Sequence, residues 1–211
     1  MNIADGILMI EGVSYNSNCY LVSGKINVLV DTGTEENFSR VKGFVKEGLD
    51  LIVNTHCHYD HVGANELLKK EFGARLAAHE DDAPFISSAD GSYTCAGLFG
   101  KGIPQVKVDA VLSDGQAISG TDFVVVHTPG HTPGGICLYD KNRKILITGD
   151  TVFAHGGVGR TDLPGGNQMA LVSSLRKISL LDVDIILPGH GEPVLTKGSL
   201  YIKKLIRDMN F

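Results

Sequence analysis

Residues 54–61 read Asn-Thr-His-Cys-His-Tyr-Asp-His and put three histidines and an aspartate within six positions. Imidazole nitrogens and carboxylate oxygens are the donors that hold zinc, iron or manganese. On an extended chain His56 and His58 point to the same side, because side chains repeat every two residues. A helix starting near Asp60 would carry Asp60 and His61 at its N-terminus, turned away from that pair. One loop then offers two ligand pairs aimed at adjacent points, a seat for two metal ions. Cys57 alternates away from His56 and His58, so it reads as structural or at most redox-sensitive, and no cysteine or serine nucleophile is needed.

Three further positions match in character, each just past an apolar strand. His131 lies in Thr-Pro-Gly-His-Thr-Pro-Gly, Asp150 in Thr-Gly-Asp-Thr and His190 in Pro-Gly-His-Gly. Strand C-termini at one sheet edge are where ligands collect, and a glycine before the donor lets the backbone turn sharply. With the first motif they supply five histidines and two aspartates, the inventory of a dinuclear site. Other polar residues stay open between two readings. His127 is either a support for a ligand or plain structure, and Asp31 either a support or a turn residue. His155, in a glycine-rich loop, is either a lining of the substrate entrance or ordinary surface. His79 opens a helix and reads as structural, while Arg160 orders its own loop and is not expected to bind substrate.

The elements that must position these residues follow from hydrophobic period and turn residues. Strands are expected at 7–10, 19–22, 27–30, 50–54, 75–78, 117–118, 123–127, 136–139, 145–148 and 184–187. Helices are expected at 38–45 after Thr34, over Leu67, Leu68 and Phe72 up to Gly73, at 80–86, at 168–180 capped by Asn167, and at 200–209. Residues 87–109 are turn-rich and take no assignment. The order gives one α/β domain over residues 1–211, with two similarly built halves as an option.

Composition narrows the partners. The net charge is −5, from 19 Lys and Arg against 24 Asp and Glu, which excludes a nucleic-acid binder resting on a basic face. Apolar runs are strand-sized, so no membrane span is expected, and the first residues lack a secretory pattern. Cys19, Cys57, Cys95 and Cys137 show no paired spacing and suit reduced thiols in a cytoplasm. The 26 glycines exceed the usual share of about 7% and gather beside the histidines and aspartate, at Gly130, Gly149, Gly189 and Gly191. Pattern and charge leave the oligomeric state open.

Taken together, Leu29-Val30-Asp31-Thr32-Gly33, His56 to His61, the segments around His131, Asp150 and His190, and Gly159-Arg160-Thr161-Asp162 resemble the metallo-β-lactamase-fold superfamily, most closely its short glyoxalase II-like hydrolases. The resemblance implies a four-layer αββα sandwich of two similar halves. It implies two divalent metal ions, zinc first with iron or manganese as alternatives. His56, His58 and His131 would hold one, Asp60, His61 and His190 the other, and Asp150 would bridge them together with a hydroxide that attacks the substrate. Asp60 would also orient that hydroxide, making it the catalytic residue. The substrate would be a small molecule, a hydroxyacyl thioester such as hydroxyacylglutathione. Typical glyoxalase II enzymes carry a further C-terminal helical segment that contacts glutathione, whereas this sequence continues only about twenty residues past His190, leaving the thiol open. One alternative is a persulfide dioxygenase of the same fold with a single iron on His56, His131 and Asp150. A lactonase or other ester hydrolase is another. A flavin-linked diiron reductase is disfavoured, because that branch carries Glu where His58 stands and an attached flavodoxin domain.

Overall fold

Short apolar segments rich in Val, Ile and Leu build a sheet in the first part of the chain. A computed structural model gives the fold, and residues 1–209 are described. The chain divides into two compact units, Met1–Leu112 and Ser113 onward. In the first, β1 (Asn2–Ala4), β2 (Ile7–Ile10), β3 (Cys19–Val22), β4 (Val28–Val30), β5 (Leu51–Val53), β6 (Arg75–His79) and β7 (Ala110–Leu112) lie side by side in sequence order. The pairs from β1 to β4 are antiparallel, and those from β4 to β7 parallel. In-register Leu29, Ile52 and Leu76 share a core with Val41 of α1 (Phe38–Phe44), Leu68 of α3 (Asn65–Phe72) and Ile86 of α4 (Ala83–Ser88). The alternate residues Val30, Val53 and Ala77 are buried as well, as expected for parallel strands covered on both faces. Between β5 and α3 lies a single helical turn, α2 (Tyr59–Val62).

The second unit repeats the scheme at smaller scale. Strands β8 (Phe123–His127), β9 (Ile136–Asp140), β10 (Ile145–Gly149) and β11 (Ile185–Pro188) are ordered β11-β10-β9-β8. An antiparallel meander again ends in a parallel pair, β10 with β11. Helix α5 (Gln168–Ile178) starts where expected, with the Asn167 side chain accepting the Ala170 N–H at 3.0 Å. Its Leu171, Leu175 and Ile178 pack with Ile202 and Leu205 of α6 (Gly198–Asp208) over Val126, Leu146 and Ile186. Burying each such side chain contributes roughly 1.5–3 kcal/mol, which holds a helix against its sheet.

Departures from expectation are local. Strands β1 and β7 have three residues each, too few to show an alternation, and were not anticipated. Residues 117–118 form no strand, because Ala117 makes only an isolated bridge to Val124 next to a turn. The helix expected at 80–86 begins at Ala83, with Asp82 in the capping position and Pro84 in the first turn. Within 87–109 the structure has a short 3-10 helix, Ala96–Phe99. Among the described residues no helix is long and apolar enough to cross a membrane.

Candidate metal centre

In the first unit the donors lie where β4 and β5 end. The two strands run parallel with Val30 opposite Val53, so the residues just beyond them, Asp31 and 54–58, are neighbours. After a bend at Thr55 and His56, His58 is extended and holds the position just before α2, which starts at Tyr59, one residue before Asp60. The earlier start changes one expectation. His61 is not turned away from the first pair: its ring lies 4.0 Å from that of His56, which is 4.8 Å from His58. All three rings are buried.

Asp31 organises this cluster. One carboxylate oxygen accepts the Thr55 N–H at 2.8 Å, and the other accepts the Thr55 hydroxyl at 2.7 Å and faces His61 Nδ1 at 2.8 Å. A carboxylate oxygen accepts, so His61 Nδ1 is the donor, and Nε2 is then the ring nitrogen that can serve a metal. With its proton committed to Asp31, the Thr55 hydroxyl accepts from His56 Nδ1 at 3.1 Å, which fixes that ring the same way. Opposite, the Cys57 N–H donates to Asp82 at 2.9 Å. The Cys57 thiol points into the apolar core, and burial foremost, then the Asp82 charge, pushes its pKa up. The His61 carbonyl is held by the Thr32 N–H at 2.9 Å, the Thr32 hydroxyl at 3.0 Å and the Asn54 amide at 3.4 Å.

The second unit brings its three donors together from separate segments. His131 sits in a turn anchored by α5: Ser174 donates to the Pro129 carbonyl at 2.7 Å, and the Asn167 N–H to Gly130 at 2.7 Å. Gly130, at φ 137°, lies so close to α5 that a Cβ would stand 2.3 Å from the Leu171 nitrogen. His131 Nδ1 donates to the Arg160 carbonyl at 2.7 Å, again making Nε2 the ring nitrogen that faces a metal. Asp150 Oδ2 is 3.5 Å from His131 Nε2 and 3.7 Å from His190 Nε2. In the first unit Asp60 Oδ2 is 3.8 Å from His61 Nε2.

These donor sets suit divalent ions. Two ligands about 2.0–2.1 Å from one tetrahedral ion stand roughly 3.4 Å apart, close to the spacings found here. Locked Nδ1–H tautomers on His56, His61 and His131 supply the deprotonated Nε2 that coordination requires.

The family model of the metallo-beta-lactamase superfamily matches residues 13–190. The chain belongs to that superfamily. It is 36% identical over 196 residues to a probable metallo-hydrolase of Methanocaldococcus jannaschii, covering 88% of this chain and 93% of that one. It is 34% identical over 201 residues to the hydroxyacylglutathione hydrolase GloC of Haemophilus influenzae, covering 88% and 90%. The crystal structure of TTHA1623 in a di-iron-bound form is 33% identical with a TM-score of 0.76, over 89% of this chain and 94% of that one. The fold is thus the metallo-β-lactamase fold, and these relatives put the chain among the metallo-hydrolases of the superfamily.

The remaining polar residues separate clearly. Asp31 is a support for His61. Arg160 orders its loop through a fork to Asp162, at 2.7 and 2.6 Å, while its carbonyl steadies His131. His127 Nε2 meets the Pro133 carbonyl at 2.9 Å, which ties the ends of the His131 turn. His79 is buried, with its Nδ1 accepting the Asp81 N–H at 3.3 Å. His155 is exposed, 3.8 Å from Glu192. The sequence reading missed Asp82 and Thr55. Asp82 lies 25 residues from Cys57 and carries no local signal, whereas Thr55, beside His56, could have been found.

Proposed function

We propose that the two donor sets complete one dinuclear centre in a single domain of residues 1–211, and that the protein hydrolyses a thioester, a hydroxyacyl-thiol of the hydroxyacylglutathione type. His56, His58 and His131 would hold one divalent ion, Asp60, His61 and His190 the other, with Asp150 shared. Zinc is the first choice, and iron or manganese the alternatives. The observation that carries the reading is an acceptor set against Nδ1 of a proposed ligand ring in both units, Asp31 at His61 and the Arg160 carbonyl at His131, each 2.7–2.8 Å away. A histidine serving only as structure has no need of a buried carboxylate that holds its proton on Nδ1. The thioester is supported by the similarity to the Haemophilus influenzae hydrolase.

Bound ions would supply Lewis acidity at the substrate carbonyl and bring a water's pKa toward neutrality. The chain's own part is orientation. Asp31 keeps His61 in one tautomer, and through Thr55 does the same for His56. Asp60, on the first turn of α2, takes the catalytic role: its carboxylate accepts a hydrogen bond from the nucleophile and so aims the nucleophile's lone pair at the acyl carbon. A thioester suits this arrangement because its thiolate leaves without needing a protonating acid. Four buried cysteines outside any disulfide support a reducing cytoplasm, and the proposed partner is a small molecule, with neither nucleic acid nor membrane.

Elemental analysis of protein made without chelator, followed by a thioester assay, tests this. About two metal equivalents per chain and turnover of S-lactoyl-thiols are expected. A single iron with oxygen uptake on a persulfide would replace the hydrolase by the dioxygenase, and turnover of lactones alone would move the substrate class.

A further inference from the structure

We propose that Tyr201 of α6 is a positioning residue for His190, acting through the loop 153–157; this rests on His190 being a metal ligand as read above. The Tyr201 hydroxyl spends both its hydrogen-bonding capacities on that loop. It donates to the Phe153 carbonyl at 2.7 Å and accepts the Gly156 N–H at 2.6 Å. The Phe153 N–H closes the loop onto the Gly157 carbonyl at 2.9 Å. Within it His155 takes a left-handed backbone at φ 57°, a conformation a β-carbon disfavours unless its surroundings impose it. The loop leaves Asp150 after two residues, and at its start the Phe153 ring sets its edge against His190, centroids 6.1 Å apart at 66°.

Packing alone does not account for this tyrosine. Helix α6 is seated by Ile202 and Leu205, both buried in the core; the half-buried Tyr201 packs against the same core and, beyond that, reaches with its hydroxyl to another segment's backbone. His190 is also the member of the proposed ligand set with most to gain. Its side chain is 32% exposed, against 8% for His131, 10% for Asp150, 15% for Asp60 and none for His61. A ring with a third of its surface exposed on a glycine-flanked turn has less packing to select one rotamer, and an aromatic ring held against it adds to that selection. The tether therefore links the last helix to the geometry of the most exposed donor.

The test uses Tyr201→Phe in the full chain, with Ile202→Val as a control that loosens α6 without touching the loop. In metal-free protein the His190 ring resonances, displaced by the Phe153 ring, move toward those of a free imidazole in Y201F and stay in place in I202V. With zinc titrated against a chelating dye, Y201F keeps its first equivalent and loses affinity for the second by roughly tenfold, as when a ligand's outer support is removed. I202V lowers the melting temperature but leaves the zinc curve unchanged. Unmoved His190 resonances in Y201F overturn the proposal, as does equal zinc weakening in I202V. Should Y201F fail to fold, Phe153→Leu removes the ring edge and keeps the backbone tether; wild-type zinc binding in that variant overturns it equally. Wild-type protein that takes up fewer than two zinc ions defeats the dinuclear reading instead, and the metal-free resonances still decide the role of Tyr201.

Discussion

The two units hold their donors by different means. In the first, four donors come from one six-residue stretch, and side chains hold two of its rings, Asp31 at His61 and Thr55 at His56, with Asp82 on the backbone between His56 and His58. In the second, His131, Asp150 and His190 come from three separate strand ends, and at His131 backbone does most of the fixing, through the Arg160 carbonyl and the close approach of Gly159 and Gly130. A cluster on one loop can be tuned by exchanging a carboxylate. One assembled from three loops depends on how closely their backbones pass, so its weak points are positions where any side chain is too large.

The sharpest way to break this contrast is Gly159→Ala. A β-carbon there would stand 2.1 Å from the Asp150 carbonyl oxygen and 2.9 Å from the His131 ring. Backbone cannot yield as a flexible side chain does, so both donors are displaced. The expected cost is about 1–3 kcal/mol of stability, together with loss of metal at the second unit's donors. Thermal melts and metal content of the purified variant measure both, and a normal metal content would show that the backbone approach does not control the site.

Asp31→Asn asks the matching question of the first unit and should cost about 10–100-fold in metal affinity, with kcat/KM falling alongside. The amide has one donor nitrogen and one acceptor oxygen where the carboxylate has two acceptor oxygens. If its NH2 faces His61, that ring must flip its proton to Nε2 and can no longer coordinate. If it faces the Thr55 N–H, two donors meet in a buried place, at about 1–3 kcal/mol. Isothermal titration with zinc decides it, and wild-type affinity would mean the tautomer is set by something other than Asp31.

The same contrast explains what could be read from the sequence. The His56–His61 stretch was legible because its spacing along the chain is also its spacing in space. Asp150 and His190 were legible for another reason: each follows an apolar strand and a glycine, and parallel β10 and β11 bring such ends to one edge. The orientation of His61 was not legible, since it turns on whether α2 starts at Tyr59 or Asp60, and a helix of four residues leaves no periodicity to count. Asp82 and the Arg160 carbonyl were hidden too. One is brought in by a helix 25 residues on, and the other is a backbone atom whose role depends on the fold and not on its side chain. Strands β1 and β7 escaped because three residues at a sheet edge carry too few apolar positions to mark a face.

Cys57→Ala sharpens the comparison from inside the first motif. Its neighbours on both sides are proposed ligands, but its thiol lies in the core with Ile52, Val62 and Ala64. Thioester turnover should stay within about twofold, and stability should fall by roughly 1 kcal/mol for the small cavity. A large loss of turnover at unchanged stability would return the thiol to the chemistry and reopen the choice of mechanism.

The smallest effect concerns the Arg160–Asp162 fork behind His131. The guanidinium, and then the residue's own N–H, pull the Asp162 carboxyl down to about 2. A carboxylate whose pKa is depressed on folding adds stability that is complete above its unfolded value, about 3.9, and disappears as the pH falls toward 2. Both partners are largely exposed, at 59% and 68%, so salt screens the pair and its worth is slight. A carbon-detected titration should put the Asp162 midpoint near 2 in the wild type and back near the ordinary carboxylate value in Arg160→Ala. Because His131 leans on the Arg160 carbonyl and not on its side chain, the same variant should change zinc affinity by no more than about threefold, far less than Gly159→Ala. A larger loss would mean that the fork, and not the backbone alone, holds the acceptor for His131 in place, and the second unit would then resemble the first more closely than their geometry suggests.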